Sequence, residues 1–453
     1  MSSSPRLGPA DVALPSPVRL LVWALAGGLF FAILLVRGGP NPAETDAHAV
    51  TVPATDISHG DLAAAARATL VPNPPGYPLL TAPWVLVFRP WIGSPRWCDD
   101  KPVPAILQGP RDAYFRSILM PCSAQASAAH PLPVWYRSQA LLTILGWVVL
   151  TLGGVSLLRA SGRGGGVREA ALVVALTVLP ASTDAIAQTY HPQDLMSVGL
   201  GCVGLAQALR RRWLLCGAAF GAAFLCKQFA LLVLIAALAA APSWPARLKA
   251  GGAAVAMAAL GIVPFAVVAP VATGHALSAV YVAGVVLVKT PTVIGQLGIS
   301  EQHKLDIARD APVVAALVVA GLAGWRRRWA LSSPGPLIGL AVACLALRLV
   351  FEIALLDYYL LAVGAMLLLL DMSTRTVPVW SVAWIVATRY GLSWLALHGS
   401  PPVIAGCYEA AALAGLGLGL APLVRARLSG TASTAWPAAT APSAWHLGRP
   451  GPR

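Results

Sequence analysis

Acidic residues that could do chemistry follow the first long apolar segment of the chain. The stretch 55–81 carries Asp56 and Asp61, then a small-residue helix pattern (LAAAARATL), then a turn ending in Gly76-Tyr77-Pro78. A carboxylate in such a place can act as a general base that takes a proton from an acceptor hydroxyl. Asp61 directly precedes the helix pattern, so capping that helix is an equal alternative for it, whereas Asp56 stands further away.

A second set of candidates lies in the polar turn Tyr190-His191-Pro192-Gln193-Asp194. His191 is a candidate for binding phosphate or sugar, and a purely structural turn with a backbone fixed by Pro192 is the alternative. Asp194 stands at the start of the next apolar segment, where a carboxylate favours the helix dipole, so we interpret it as a helix-capping residue.

Basic residues interrupt the later apolar segments. Lys227, followed by Gln228, is a candidate point charge for a lipid phosphate at headgroup depth, or a lysine that snorkels to the surface. Arg348 could bind phosphate bidentately, or could pair with Glu352 four residues later on a helix. Tyr358 follows Asp357 and is either a substrate contact or part of an aromatic belt at the membrane interface.

The composition identifies a polytopic membrane protein. Of 453 residues, 57% are hydrophobic and 11% charged, against roughly 25% charged in soluble domains. Mean hydropathy is +0.71. Because lipid cannot satisfy open backbone groups, the spans must be helices and the fold class all-α. The net charge of +14 comes from short basic clusters between apolar runs rather than from one basic face, so no nucleic-acid partner is expected.

The chain order predicts about 12 transmembrane helices within one domain, 18–427, flanked by disordered cytoplasmic segments 1–17 and 428–453. Loop 37–137 is too long for an ordinary connection and contains a short apolar segment, 77–88, expected to form a re-entrant or interfacial helix. A second long loop covers 273–310. The expected spans are 18–36, 138–158, 169–182, 195–209, 213–226, 229–241, 250–272, 311–325, 337–351, 358–370, 379–397 and 403–424.

Lysine and arginine clusters set the expected orientation in the cell membrane. They follow the even-numbered spans, which puts both termini in the cytoplasm and loops 37–137 and 273–310 outside. This collects the candidate residues at the extracytoplasmic face. The clusters are Arg159/163/168, Arg210/211/212, Arg247/Lys249, Arg326/327/328, Arg375 and Arg425/427.

Cysteines and known motifs restrict the chemistry. Cys98 and Cys122 share the first outer loop, so a disulfide between them is a candidate, whereas the other five cysteines lie in or near spans and suit apolar packing. The chain contains no Walker, GxGxxG, HExxH, CxxC-pair or GxSxG motif. No cofactor and no metal site are therefore predicted.

Several stretches resemble the GT-C membrane glycosyltransferases, most closely the polyprenyl-phosphate-mannose-dependent mannosyltransferases of actinobacteria. They are the early loop aspartate with its small-residue helix and G-Y-P turn, HPQDLMSVGLGCVGLAQALRRRW, GAAFGAAFLCKQFALLVLIAALAAAP, and DYYLL. The resemblance covers most of the chain in layout. His59 stands where the family has an aromatic residue, and it joins the candidates for substrate binding.

The resemblance implies an inverting transfer of a sugar, with mannose favoured over arabinose and glucose, from a polyprenyl-phosphate donor. The acceptor would be a glycolipid or a cell-envelope glycan, and membrane lipids would be further partners. By position the implied base is Asp56, with Asp61 second and Asp46 as a further alternative. A secondary transporter or flippase-like carrier is the competing class, but the chain shows no convincing repeat, and its charges gather at one face rather than at mid-span.

Overall fold

A computed structural model of the chain describes most of its central part. The described residues are 23, 26–30, 47–68, 75–92, 132–187, 191–278, 292–327, 330–353, 359–375, 377–391, 394 and 398–428. They are mostly helical (87%) and contain no strand, which confirms the all-α prediction. The predicted disordered segment 1–17, nearly all of the tail 428–453, and most of the first span lie outside the described residues.

The helices follow the apolar pattern of the sequence. The longer ones in chain order are α1 (Ala47–Ser58), α2 (Leu62–Ala68), α3 (Gly76–Ile92), α4 (Leu132–Ala160), α5 (Gly166–Val178), α6 (Pro180–Ala187), α7 (Pro192–Leu209), α8 (Trp213–Cys226), α9 (Ala230–Ala240), α10 (Trp244–Val268), α11 (Pro270–Ser278), α12 (Glu301–Arg327), α13 (Pro334–Val350), α14 (Leu360–Thr374), α15 (Val379–Val386) and α16 (Pro401–Leu428). Short helical turns lie at Val293–Gln296, Ala330–Ser332 and Ala387–Gly391.

Two of the predicted spans are each divided into two helices. The span expected at 169–182 is α5 and α6, which meet at Leu179, where ψ is 118°. The span expected at 250–272 is α10 and α11, which meet at Ala269 with φ −148°. In both places the next residue is a proline, which has no N–H to donate and disfavours helical geometry in the residue before it. Proline therefore ends helices that the apolar pattern alone predicts to continue.

The long apolar helices indicate a membrane protein. Four described segments are long and apolar enough to cross a bilayer: Thr143–Ala160, Trp244–Val268, His303–Trp325 and Pro402–Ala426. Other apolar helices are shorter, such as the 11 residues of α9, which at 1.5 Å per residue extend only about half of a 30 Å hydrocarbon core. The count of about 12 spans and the sides of the termini stay predictions.

Glycines let neighbouring helices approach closely. Gly153 of α4 lies against Gly199 of α7, and a Cβ on either would collide with backbone atoms of the other helix. α13 and α16 meet in the same way at Gly339 and Gly419. Such backbone contact replaces the hydrophobic driving force that is missing between helices in lipid.

The helix contacts gather several helix ends at one end of the bundle. α7 begins beside the end of α8, where Ser197 Oγ donates to the carbonyl of Ala223 at 3.0 Å. α14 begins beside the end of α13, where Arg348 lies over the Tyr359 ring. These four helix ends are called the site end below, and the ends of α4 and α7 that carry Arg159 and Arg210 lie opposite.

The helices of the first long loop pack on the site end. Tyr77, near the start of α3, is buried with Met196 of α7 and Cys226 at the end of α8. Ala65 and Ala66 of α2 pack against Phe265 near the end of α10. The expected short helices are thus present in the loop, and α3 includes the segment predicted at 77–88. Their position at a membrane interface stays a prediction.

Candidate functional site

A buried ion pair joins α7 to the break between α8 and α9. The Nζ atom of Lys227 lies 3.5 Å from Oδ1 of Asp194, and the two side chains are only 12% and 4% exposed. α8 ends at Lys227 because its backbone is extended there, with φ −157° and ψ 136°. Ser197 Oγ lies 3.4 Å from the Lys227 carbonyl, which holds this break against α7.

A second ion pair closes the end of α13. Arg348 Nε lies 3.5 Å from Glu352 Oε2, so the helix pairing considered from the sequence is present. The Arg348 guanidinium also lies over two rings, 4.6 Å from the centroid of Tyr359 and 5.4 Å from that of Phe229. Aromatic faces attract a guanidinium, so these rings fix Arg348 at the starts of α9 and α14.

The two pairs form one electrostatic group, called the four-charge cluster: Asp194, Lys227, Arg348 and Glu352. Burial raises the pKa of Glu352, which follows the last turn of α13, while Arg348 and then Lys227 act in the opposite direction. Phe229, two residues after Lys227, lies under the Arg348 guanidinium, which places both pairs at the same helix ends. Two cations and two carboxylates balance formally, as buried charges generally require.

The contacts inside the four-charge cluster differ from those of a structural ion pair at the opposite end. Arg159 donates Nε and an Nη to both oxygens of Glu169, at 2.7 and 2.8 Å. Both cluster contacts are 3.5 Å, longer than the 2.7–2.9 Å of charge-assisted hydrogen bonds. Lysine as a point charge and arginine as a planar fork are the side chains that bind phosphate. The cluster brings a side chain of each kind together, and each is already paired with a carboxylate.

The polar turn before α7 lies beside the cluster. His191 is buried, at the residue that precedes α7, and makes no side-chain capping hydrogen bond. Asp194 lies in the first turn of α7, but it is not the capping residue, and its carboxylate contacts Lys227 instead. Gln228 Nε2 lies 3.5 Å from the Leu277 carbonyl, near the end of α11. Tyr358 lies outside the described residues, whereas its neighbour Tyr359 lies in the site.

The aspartates of the first loop have different structural roles. Asp61 is exposed, and its Oδ1 accepts the backbone N–H of Ala64 at 2.7 Å, so the helix-capping alternative is the one observed. Asp56 is half-buried in the last turn of α1, a helix that the sequence did not predict. His59 is exposed, and its Nδ1 lies 2.8 Å from the Thr55 carbonyl. All three belong to the α1–α3 unit that packs on the site end.

Other predicted groups are only partly described. Cys98, Cys122 and Asp46 lie outside the described residues. Cys202, Cys216, Cys226 and Cys344 are buried free thiols and Cys407 is half-buried, as expected for packing residues. In the described part of the chain, no three His, Cys, Asp or Glu side chains are grouped so that they could hold a metal ion.

Sequence reasoning missed part of the site. Glu352 was considered only as a local helix partner, and Phe229 was not considered. The available signal was position, because Phe229 directly follows Lys227-Gln228 at a helix break and Glu352 follows the end of an apolar helix. Comparison of the chain with protein-family models, with curated proteins and with solved structures finds no match.

Proposed function

We propose that the chain is a membrane glycosyltransferase. It transfers a sugar, with mannose favoured, from a polyprenyl-phosphate donor to a glycolipid or cell-envelope glycan acceptor. One observation carries the proposal: the ion pairs of Lys227 and Arg348, far apart in sequence, lie at the same end of the bundle, where Arg348 lies over Phe229, two residues after Lys227. A phosphate at the headgroup of a lipid is the ligand that such a pair of cations suits.

The proposed reaction assigns a role to each group. The acceptor hydroxyl attacks the anomeric carbon of the sugar while the bond from that carbon to the phosphate oxygen breaks. Polyprenyl phosphate leaves with the electron pair, and the hydroxyl proton goes to a loop carboxylate. The configuration inverts because the hydroxyl attacks from the face opposite to the leaving phosphate. Asp56 is the proposed base by its position in the loop, and it is half-buried in α1, whereas Asp61 is exposed and caps α2. Lys227 and Arg348 would stabilise the negative charge on the leaving phosphate.

The proposed location is the cell membrane, with the site end facing outward and both termini in the cytoplasm. The arginine clusters support this orientation, because they follow helices whose other ends lead to the site. His191 and Tyr359 would contact the donor beside the phosphate. The sugar and the acceptor would occupy the side formed by α1–α3, which contacts the residues next to Lys227.

Transfer assays on purified protein in lipid nanodiscs test the proposal, with polyprenyl-phosphate sugars as donors and a glycolipid extract as acceptor. Asp56→Asn should abolish transfer with donor binding intact. Lys227→Gln and Arg348→Gln should each raise the KM for the donor at least tenfold. Arg309→Gln is the matched control. Like Arg348, Arg309 is paired with a carboxylate, that of Asp310, but it lies exposed on α12. Full activity in Asp56→Asn would reject Asp56 as the base.

A secondary transporter is the second candidate, and one observation favours it. Balanced ion pairs that are buried within helical membrane proteins also mark the paths of ions and substrates in carriers. Reconstituted vesicles distinguish the two functions, because a carrier moves a labelled lipid-linked sugar or free sugar across the bilayer without forming a new glycosidic bond. Movement without transfer would reject the glycosyltransferase proposal.

A further inference from the structure

The turn between α7 and α8 consists of three consecutive arginines in an unusual geometry. The N–H of Arg212 donates to the Gln207 carbonyl and that of Arg211 to the Ala208 carbonyl, both at 2.9 Å. This is the Schellman arrangement, in which the residue after the helix cap adopts a left-handed conformation and is usually glycine. Arg211 occupies that position with φ 59°, and it is the one non-glycine residue with positive φ in the part of the chain that the structure describes.

An arginine at this position has a conformational cost that glycine would avoid. The Cβ atom of a left-handed residue approaches the following carbonyl oxygen, and such conformations occur at functional sites where the structure enforces them. A glycine at position 211 would allow the same turn without this cost. The geometry therefore raises the question of what the Arg211 side chain contributes.

Arg159, on the neighbouring helix α4, adds another cation close to this turn. Arg210 donates from Nη1 and Nη2 to the hydroxyl and the carbonyl of Ser156 on α4, at 3.3 and 3.4 Å. Burial, followed by Arg212 and Arg159, lowers the pKa of Arg210. Glu169 neutralises Arg159 through its two short contacts. The group is called the arginine turn here (Arg159, Arg210, Arg211 and Arg212). Within the described residues, its one ion pair is that of Arg159 with Glu169.

Exposed apolar side chains lie directly beneath the arginine turn. Leu214 and Leu215 follow it on α8 and are 59% and 54% exposed, and Leu152, one turn before Ser156 on α4, is 43% exposed. Side chains of this kind at a span end contact lipid tails, while the cations above them lie at headgroup depth. Basic pockets between membrane helices bind the head groups of anionic lipids.

We propose that the arginine turn is a binding site for the phosphate headgroup of an anionic membrane phospholipid, whose acyl chains cover Leu152, Leu214 and Leu215. The site lies at the end of the bundle opposite to the four-charge cluster. It is therefore independent of the proposed transferase function, and either proposal can fail alone. The headgroup phosphate would pair with Arg210, Arg211 and Arg212, which are exposed.

Thermal unfolding in nanodiscs of defined composition tests this site. For the wild-type protein, we expect nanodiscs with phosphatidylglycerol to give a higher Tm than nanodiscs with phosphatidylcholine. The double variant Arg210→Gln/Arg212→Gln should lose at least half of that difference. Lys249→Gln is the matched control, because Lys249 is an exposed cation on α10, which starts at the same end of the bundle. It should retain the full difference.

Arg211→Gly separates the backbone from the side chain. Its Tm in phosphatidylcholine should equal or exceed that of the wild-type protein, because the left-handed conformation suits glycine. The Tm difference between phosphatidylglycerol and phosphatidylcholine nanodiscs should nevertheless be smaller for this variant than for the wild-type protein. Native mass spectrometry should likewise show fewer retained phosphatidylglycerol molecules on Arg211→Gly than on Lys249→Gln.

A free phosphate ligand is distinguished by adding inorganic phosphate or glycerol phosphate to phosphatidylcholine nanodiscs. No increase of Tm is expected from either compound, since a soluble anion has no acyl chains to hold it beside the arginine turn. An increase equal to that from phosphatidylglycerol would overturn the assignment to a lipid. Equal losses in Lys249→Gln and in the double arginine variant would show a diffuse surface charge effect and would also overturn the proposal.

Discussion

Removing one partner of the Asp194–Lys227 pair should destabilise the protein more than the pair itself stabilises it. Asp194→Asn removes the carboxylate from Lys227, which is only 12% exposed, and Lys227→Gln removes the ammonium from Asp194, which is 4% exposed. A buried charge without its partner keeps its full desolvation cost. The double variant removes both charges and therefore avoids much of that cost.

The expected magnitude follows from the geometry. Two unit charges 3.5 Å apart attract by about 5 kcal/mol at an effective dielectric constant of about 20. Desolvation of the two charges opposes this attraction. We therefore expect each single variant to lose about 3 kcal/mol of unfolding free energy, and the double variant to lose about 3 kcal/mol less than the sum of the two, so no more than either one alone.

Reversible unfolding in mixed micelles, titrated with a denaturing detergent, measures the four free energies of this cycle. The exposed pair Arg309–Asp310 is the matched control: its contact is shorter, 2.8 Å, but its side chains are 43% and 60% exposed. Exposed pairs couple by only about 0–1 kcal/mol. Additive losses for Asp194 and Lys227, or a coupling no larger than that of the exposed pair, would refute the reasoning from burial.

Two further predictions concern helix packing and capping. Gly199→Ala should cost about 1–3 kcal/mol because its methyl group would meet the Val149 backbone, whereas Gly252→Ala, in open space, should gain about 0.5 kcal/mol from helix propensity. The same unfolding assay measures both, and equal effects would contradict the close approach. Asp61→Ala should lose about 1 kcal/mol of α2 stability with sugar transfer retained, measured by hydrogen exchange at Ala64. Loss of transfer would show that Asp61 does more than cap α2.

Much of the helical framework could be predicted from the sequence. α8 has the same bounds as the span expected at 213–226, because an arginine cluster precedes it and Lys227 follows it. The apolar runs between such markers can satisfy their backbone groups only as helices. The divisions at Pro180 and Pro270 were missed because an apolar count does not weigh the backbone effect of a single proline.

Local chemistry was predictable where it depends on neighbouring residues. The capping role of Asp61 was foreseen as an alternative because a helix cap accepts from an N–H three residues later in the chain. Arg348 and Glu352 were foreseen as a pair for the same reason, since residues four apart on a helix are adjacent. Asp194 was misjudged because its partner comes from another helix.

The sequence by itself determined that the chain is helical and membrane-like, and it identified most of the ionisable residues of the site. Only the tertiary structure decided which of them meet. Lys227 contacts Asp194 because α7 and α8 pack side by side, and Arg348 contacts Phe229 and Tyr359 because α9, α13 and α14 share one end. Side-chain periodicity reports which face of a helix is apolar, but not which other helix covers that face. The partners of buried charges therefore depend on packing between helices, which no local pattern records.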